Sequence, residues 1–212
     1  MEDIGLLLIF WYGILHAFGP DHLTAIADFS IGKQKKQTIL ITVLFAFGHG
    51  LSLLLFAKIL SMYNIPSDLL AYGDIISALV ILLMGLYLLV MALTRRINIS
   101  MHKHKKEEHF HIYFGKKHNH QSNNIVSAFT IGTLMGIGGV RGMLVTLSLV
   151  KSSSVDISLV LAFTAGVILI FLTFGLFILF INKNLLTSKK NINIIFTTVG
   201  ITSILVGLNM LT

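Results

Sequence analysis

Gly13-Ile14-Leu15-His16-Ala17-Phe18-Gly19-Pro20-Asp21-His22 decides how this chain folds, because it sets two imidazoles and a carboxylate inside an apolar run long enough to cross a bilayer. A charged group in the middle of a spanning helix costs at least ~2.5 kcal/mol, so each one calls for a reason. On a regular helix Asp21 lies about 140° and His22 about 240° around from His16, which splays the three apart. They converge only if the helix breaks. Pro20 supplies the break, since it lacks an amide hydrogen and its ring clashes with the carbonyl of His16, and Gly19 relaxes the backbone beside it. An opened turn frees that carbonyl and lets the polar groups face one cavity.

The surroundings of this stretch are those of a membrane protein. Of the 212 residues, 55% are hydrophobic and 12% charged, against about 25% charged in soluble domains, and mean hydropathy is +0.85. The hydrocarbon layer is roughly 30 Å thick and needs about 20 helical residues to cross it. Six apolar blocks meet that length, at 4–30, 38–62, 69–94, 125–150, 155–182 and 191–211. The first begins after an acidic Met1-Glu2-Asp3 and contains no small-residue cleavage site, so it is expected to remain as a span. With no cysteine in the chain, disulfides and thiolate metal sites are excluded.

A net charge of +7 would point a soluble protein toward nucleic acid, but here the cations follow the spans and no nucleic-acid partner is expected. Lys33, Lys35 and Lys36 follow the first span, Arg95, Arg96, Lys103, Lys105, Lys106, Lys116 and Lys117 the third, and Lys183, Lys189 and Lys190 the fifth. Only Lys58, Arg141 and Lys151 lie elsewhere. The positive-inside rule then predicts a multi-pass protein of the cell membrane with both termini outside and the three basic loops in the cytoplasm.

The two halves echo one another. Residues 13–22 lie over Gly132-Thr133-Leu134-Met135-Gly136-Ile137-Gly138-Gly139-Val140-Arg141, so that Met135 answers His16 and Arg141 answers His22. Ala46-Phe47-Gly48-His49-Gly50 resembles Ala162-Phe163-Thr164-Ala165-Gly166, and Leu83-Met84-Gly85-Leu86-Tyr87 resembles Leu205-Val206-Gly207-Leu208-Asn209, at offsets of 119, 116 and 122 residues in chain order. Three-span units repeated in this way run in opposite directions across the membrane. The predicted fold is therefore an all-α integral membrane protein of six transmembrane helices in a 3+3 inverted-topology repeat: 1–94, a His-rich cytoplasmic loop at 95–124, and 125–212. Such repeats place the substrate site near the midplane on broken helices. Glycines such as Gly132, Gly136, Gly138, Gly139 and Gly142 also serve close helix packing in any bundle.

Imidazole with carboxylate suits nickel, cobalt, zinc or iron in the +2 state and is too nitrogen-rich for magnesium or calcium. His16, Asp21 and His22, with His49 between two glycines on the second span, are the expected metal ligands. Asp28, Arg141 and Met135 are candidates to support or gate that site, Arg141 by pairing with Asp21. The loop holds His102, His104, His109, His111, His118 and His120, a composition that captures transition metals. Read as poor in apolar residues, it is expected to lack fixed structure.

A His, four residues, then Asp-His on one helix, followed by Phe47-Gly48-His49 on the next, resembles the nickel/cobalt transporter superfamily. That resemblance spans most of the hydrophobic chain and implies that His16, Asp21, His22 and His49 handle metal in a permeation path. Gly19 stands where family members often carry a further acidic residue, and six spans replace the eight of the best-known uptake members. The chain is thus most similar to the six-span branch of nickel/cobalt efflux proteins and urease-associated membrane proteins. The expected function is secondary transport of Ni2+ or Co2+, with Zn2+ or Fe2+ as further fits, and no permanent cofactor. The expected partners are the lipid bilayer and the metal ion, and the sequence is compatible with a homo-oligomer. No Walker loop is present, so ATP-driven pumping within this chain is excluded. Two alternatives remain open at this point: an anion exporter of the sulfite-exporter type built on Arg141, and an intramembrane zinc metalloenzyme.

Overall fold

The computed structural model describes residues 2–63, 67–94, 97–104, 107–114, 124–149, 156–186 and 188–211. Among these, the helices are α1 (Glu2–Ala17), α2 (Pro20–Ser30), α3 (Lys35–Met62), α4 (Ser67–Leu93), α5 (Asn124–Leu149), α6 (Ile157–Asn184) and α7 (Lys189–Leu211). Five are long and apolar enough to cross a membrane, and α1 with α2 makes a sixth if the bent pair is counted as one span. The pair bends by 58°. The outward faces carry large apolar side chains, including Leu7, Trp11, Leu83, Phe180 and Leu205, all more than half exposed, as a bundle bathed in lipid tails requires.

The break forms where the sequence places it. The amide of Gly19 donates to the His16 carbonyl at 2.9 Å and that of His22 to the Gly19 carbonyl at 3.1 Å. Pro20 opens α2 at a position where no amide hydrogen is needed. One expectation is corrected here: the His16 carbonyl is not freed by the open turn, because Gly19 takes it.

Since lipid gives apolar helices no solvent-driven reason to associate, the bundle is held by close approach at small residues. The strongest pairings are α3 with α5, α4 with α7, and α1 with α6. A side chain on Gly13 would strike the Phe163 carbonyl, one on Gly166 the Phe10 carbonyl, one on Gly48 the Phe129 carbonyl, and one on Gly132 the Phe45 carbonyl. Between α4 and α7, Gly85 faces the Gly200 carbonyl and Gly207 the Ala78 carbonyl. The main core, around Phe45, Phe163, Phe171 and Met143, fills the middle of the bundle, and a smaller one around Phe196, Leu88 and Ile31 closes one end.

At that end a single side chain ties the turn after α2. Gly32, whose φ of 74° favours glycine, donates its amide to Asn182 Oδ1 at 2.9 Å. Asn182 Nδ2 in turn donates to the carbonyls of Ser30 at 2.9 Å and Lys33 at 3.1 Å. The α2–α3 turn is thereby fastened to α6.

The loop after α4 departs from expectation. Ile97–His104 (β1) and Glu107–Phe114 (β2) form an antiparallel hairpin in which Ile97 faces Phe114 and His104 faces Glu107. The average composition of the loop hides an alternation of apolar and polar residues over 97–102 and 109–112, which is the pattern of a two-faced strand. His118 and His120 lie outside the described residues.

Candidate metal centre

His16 ends α1, His22 sits in the first turns of α2, and His49 comes from the middle of α3. The bend brings them together, so that a ligating nitrogen from each lies within 4.8 Å of the other two. Nε2 of His16 and Nε2 of His22 are 2.9 Å apart. His22 and His49 are buried and His16 nearly so. Phe163 packs on His16, Phe171 on both His22 and His49, and Phe45 stacks on His49 at 6.3 Å between ring centres. One side of the cluster is thus a dry aromatic wall.

The hydrogen-bond account of the cluster does not close. A buried imidazole with unpaired nitrogens loses about 1–3 kcal/mol per unsatisfied group. His16 and His22 satisfy one nitrogen each through their mutual contact. Both Nδ1 and Nε2 of His49 are buried with no hydrogen-bond partner among the described residues.

Asp21 takes a different position from the one its place in the sequence suggests. It stands behind His22, with Oδ2 2.8 Å from His22 Nδ1, a short contact that lies off the line of a good hydrogen bond. It is not among the atoms that converge with His16 and His49. As the acidic residue of the first turn of α2, it also meets the positive end of that helix, while the negative end of α1 points at the cluster from the other side.

On the open side, a cavity of about 140 Å³ is lined by His16, Asp21, His22, Asp74, Ser77, Gly138, Gly139, Gly142 and Met210. The α5 glycines make the room: a Cβ on Gly139 would sit 3.1 Å from His16 Nε2 and 3.3 Å from His49 Nε2, and one on Gly142 would sit 3.3 Å from His16 Nδ1. Ser77 brings a buried hydroxyl without a partner. Met210 and Ser77 carry no signal in the sequence that sets them apart, and the glycines look like ordinary packing residues until their neighbours are seen.

Three further candidates lie elsewhere. Arg141 does not reach Asp21. Its Nη1 lies 3.3 Å from Asp74 Oδ2, with the two side chains 58% and 36% exposed. The echo pairing Arg141 with His22 fails to bring it inward because α5 runs unbroken through this region. Arg141 therefore follows Gly138 by one turn onto the side that packs against Gly73 of α4. Met135 is fully buried in the main core and does not line the cavity. Asp28 lines a separate cavity of about 320 Å³ with Lys33 and Tyr87, and both its oxygens accept from Ser203 Oγ, at 3.0 and 2.9 Å. It stands apart from the imidazole cluster. No family model matches the chain, and comparison with curated proteins and with solved structures returns no match either, so the cluster must be read from its own chemistry.

Proposed function

We propose that this protein is a secondary transporter of a divalent transition-metal ion, with Ni2+ or Co2+ the best fit, which binds to His16, His22 and His49 while Asp21 steadies His22. The observation that carries this reading is the convergence of three imidazoles at a broken span, one with both nitrogens unpartnered. Hydrogen bonding between helices accounts for His16 and His22 but leaves His49 with a cost and no return. A metal ion removes that cost. Two imidazole nitrogens held about 2.1 Å from one ion at right angles lie about 3 Å apart, and His16 and His22 already stand at 2.9 Å. A carboxylate beside the far nitrogen of a ligating histidine raises its basicity, which is the role of Asp21 here. Neutral imidazole is the binding form, so protons compete with the ion and offer a means of coupling.

The inverted repeat belongs to this reading and is supported by the packing. Exchanging α1 with α5 and α3 with α6 turns the α1–α6 pairing into α5–α3. The same exchange carries the Gly13–Phe163 contact onto Gly132–Phe45, and Gly166–Phe10 onto Gly48–Phe129. In the third span, Gly85–Gly200 maps onto Gly207–Ala78. The α3–α6 register these contacts favour is an offset of 118 residues rather than 116. Rocking of two such halves about a midplane site gives access to each side in turn. Basic residues cluster after the first, third and fifth spans, which supports termini outside and the hairpin in the cytoplasm of a cell-membrane protein.

The rival readings have weaker support. An anion path through Arg141 requires a free guanidinium in the bundle, whereas this one is exposed and paired with Asp74. A zinc enzyme requires a free general base beside the ion, whereas Asp21 is taken up by His22, Asp28 is bonded to Ser203 in another cavity and Asp74 is paired with Arg141.

Proteoliposomes enclosing a metal-sensitive dye provide the test. Ni2+ or Co2+ entry should fall to the protein-free background with His16→Ala. It should stay within about fivefold of wild type with Arg141→Ala, since an exposed ion pair contributes only about 0–1 kcal/mol. Wild-type flux from the His16→Ala protein, or selective loss of anion flux with Arg141→Ala, would sink this reading.

A further inference from the structure

The cavity beside the imidazoles carries a second chemistry on its α4 wall. Asp74 and Ser77 both line it, and they stand three residues apart, which puts them on one helix face in adjacent turns. Asp74 lies at the rim, with its side chain 36% exposed. Ser77 is 1% exposed, and its Oγ has no hydrogen-bond partner among the described residues. The α5 backbone shows how far inward Ser77 stands. A Cβ on Gly138 would strike Ser77 Oγ, and one on the next residue, Gly139, would lie against His16 Nε2 and His49 Nε2. Oxygen donors therefore run from the rim to the edge of the nitrogen cluster, carboxylate first and hydroxyl second.

A buried hydroxyl with no protein partner keeps its bonding capacity for whatever enters the cavity. Asp21 lines the same space, and two carboxylates on the walls of one cleft give it a field that draws cations. Arg141 already answers that field from outside: Nη1 alone lies 3.3 Å from Asp74 Oδ2 alone. A single contact at an exposed position is the weak kind of ion pair, unlike the two-nitrogen grip that arginine can make on a carboxylate. An α-helix rises 1.5 Å per residue, which places Asp74 about 28 Å along α4 from Leu93. Since Leu93 is the end that leads into Arg95-Arg96, the rim lies toward the opposite end of the bundle.

We propose that Asp74 and Ser77 form an approach site for divalent cations, in which the ion displaces Arg141 from Asp74 and is held with part of its water before it passes to His16, His22 and His49. The inference rests on the transport reading and adds the step that precedes imidazole binding. Carboxylate, hydroxyl and water accept Mg2+ and Mn2+ as readily as Ni2+. The rim therefore selects for charge, and the choice among metals is left to the imidazoles.

The test uses the full chain in nanodiscs of neutral lipid, with Mn2+ as the probe and its free concentration read by electron paramagnetic resonance. Asp74→Asn, nearly isosteric and partly exposed, should weaken one Mn2+ site at least about tenfold, and Ser77→Ala should weaken it about two- to tenfold. Arg141→Ala should tighten it by up to about fivefold, because a tethered competitor is gone. The double variant Asp74→Asn with Arg141→Ala should stay as weak as Asp74→Asn. Recovery of wild-type affinity in the double variant would show that the unpaired guanidinium alone caused the loss, and it would overturn the site, as would unchanged Mn2+ binding by Asp74→Asn. In proteoliposomes, excess Mg2+ on both sides should slow Ni2+ entry through the wild type, against a monovalent salt of equal ionic strength, and should have no effect on the already slower Asp74→Asn protein. Equal slowing of both would also overturn the proposal. The loss of Mn2+ on Asp74→Asn should be the same in a His16→Ala background. If that loss is found but His16→Ala still moves Ni2+, the transport reading fails and the cation site stands.

Discussion

His49→Leu is expected to abolish metal flux while leaving the fold as stable as before or more so. The two results have opposite signs because His49 makes no hydrogen bond among the described residues: both ring nitrogens are buried without a partner there, and the ring is packed by Phe45 and Phe171. Replacing an unpaired buried polar group with an apolar one of similar size recovers about 1–3 kcal/mol of desolvation cost. Leucine approximates the imidazole in volume, so little strain offsets this gain. Thermal unfolding of the purified protein, beside dye-reported Ni2+ entry into vesicles, reads both quantities. If His49→Leu lowered stability by more than about 2 kcal/mol, the ring would have a structural partner and the argument from its unpaired nitrogens would fail. Flux that survived the change would remove His49 from the path.

Gly139→Val should stop transport with no ligand touched. A Cβ at this position lies 3.1 Å from His16 Nε2 and 3.3 Å from His49 Nε2, so a branched side chain projects into the space between the two nitrogens that a bound ion would occupy. Overpacking of this kind costs about 1–3 kcal/mol, which is roughly a 5- to 150-fold loss of affinity if it falls on the bound state. Gly139→Ala should show the smaller end of that range. Met135→Leu, one turn earlier on the same helix but in the core, should transport normally. Measuring Ni2+ entry for the three variants together separates a blocked site from a weakened α5. Equal damage from Met135→Leu would point to the helix rather than the cavity.

Much of this arrangement could be read from the residues. The six apolar blocks coincide with the helices to within a few positions, because span length is set by bilayer thickness and little else. The bend at Gly19-Pro20 was legible for a covalent reason, the missing amide hydrogen. His16, His22 and His49 were legible because ionisable groups are rare in spans. What escaped depends on rotation about helix axes, which apolar composition on every side does not encode. Ser77 and Met210 face the cavity only because of how α4 and α7 are turned. Arg141 was misplaced because its partner in the other half sits on a broken helix and it sits on an intact one. Asp21, adjacent to His22 in sequence, was read as a fourth ligand, whereas the start of α2 directs it behind the ring. The hairpin was missed by averaging composition where alternation was the signal.

Asn182 has a mechanical consequence. By gripping both sides of the turn at Ser30–Lys33, it makes the far end of α2 and the far end of α6 a single lever arm. Were α2 to swing about its bend at Gly19-Pro20, the Asn182 tie would carry the end of α6 along with it.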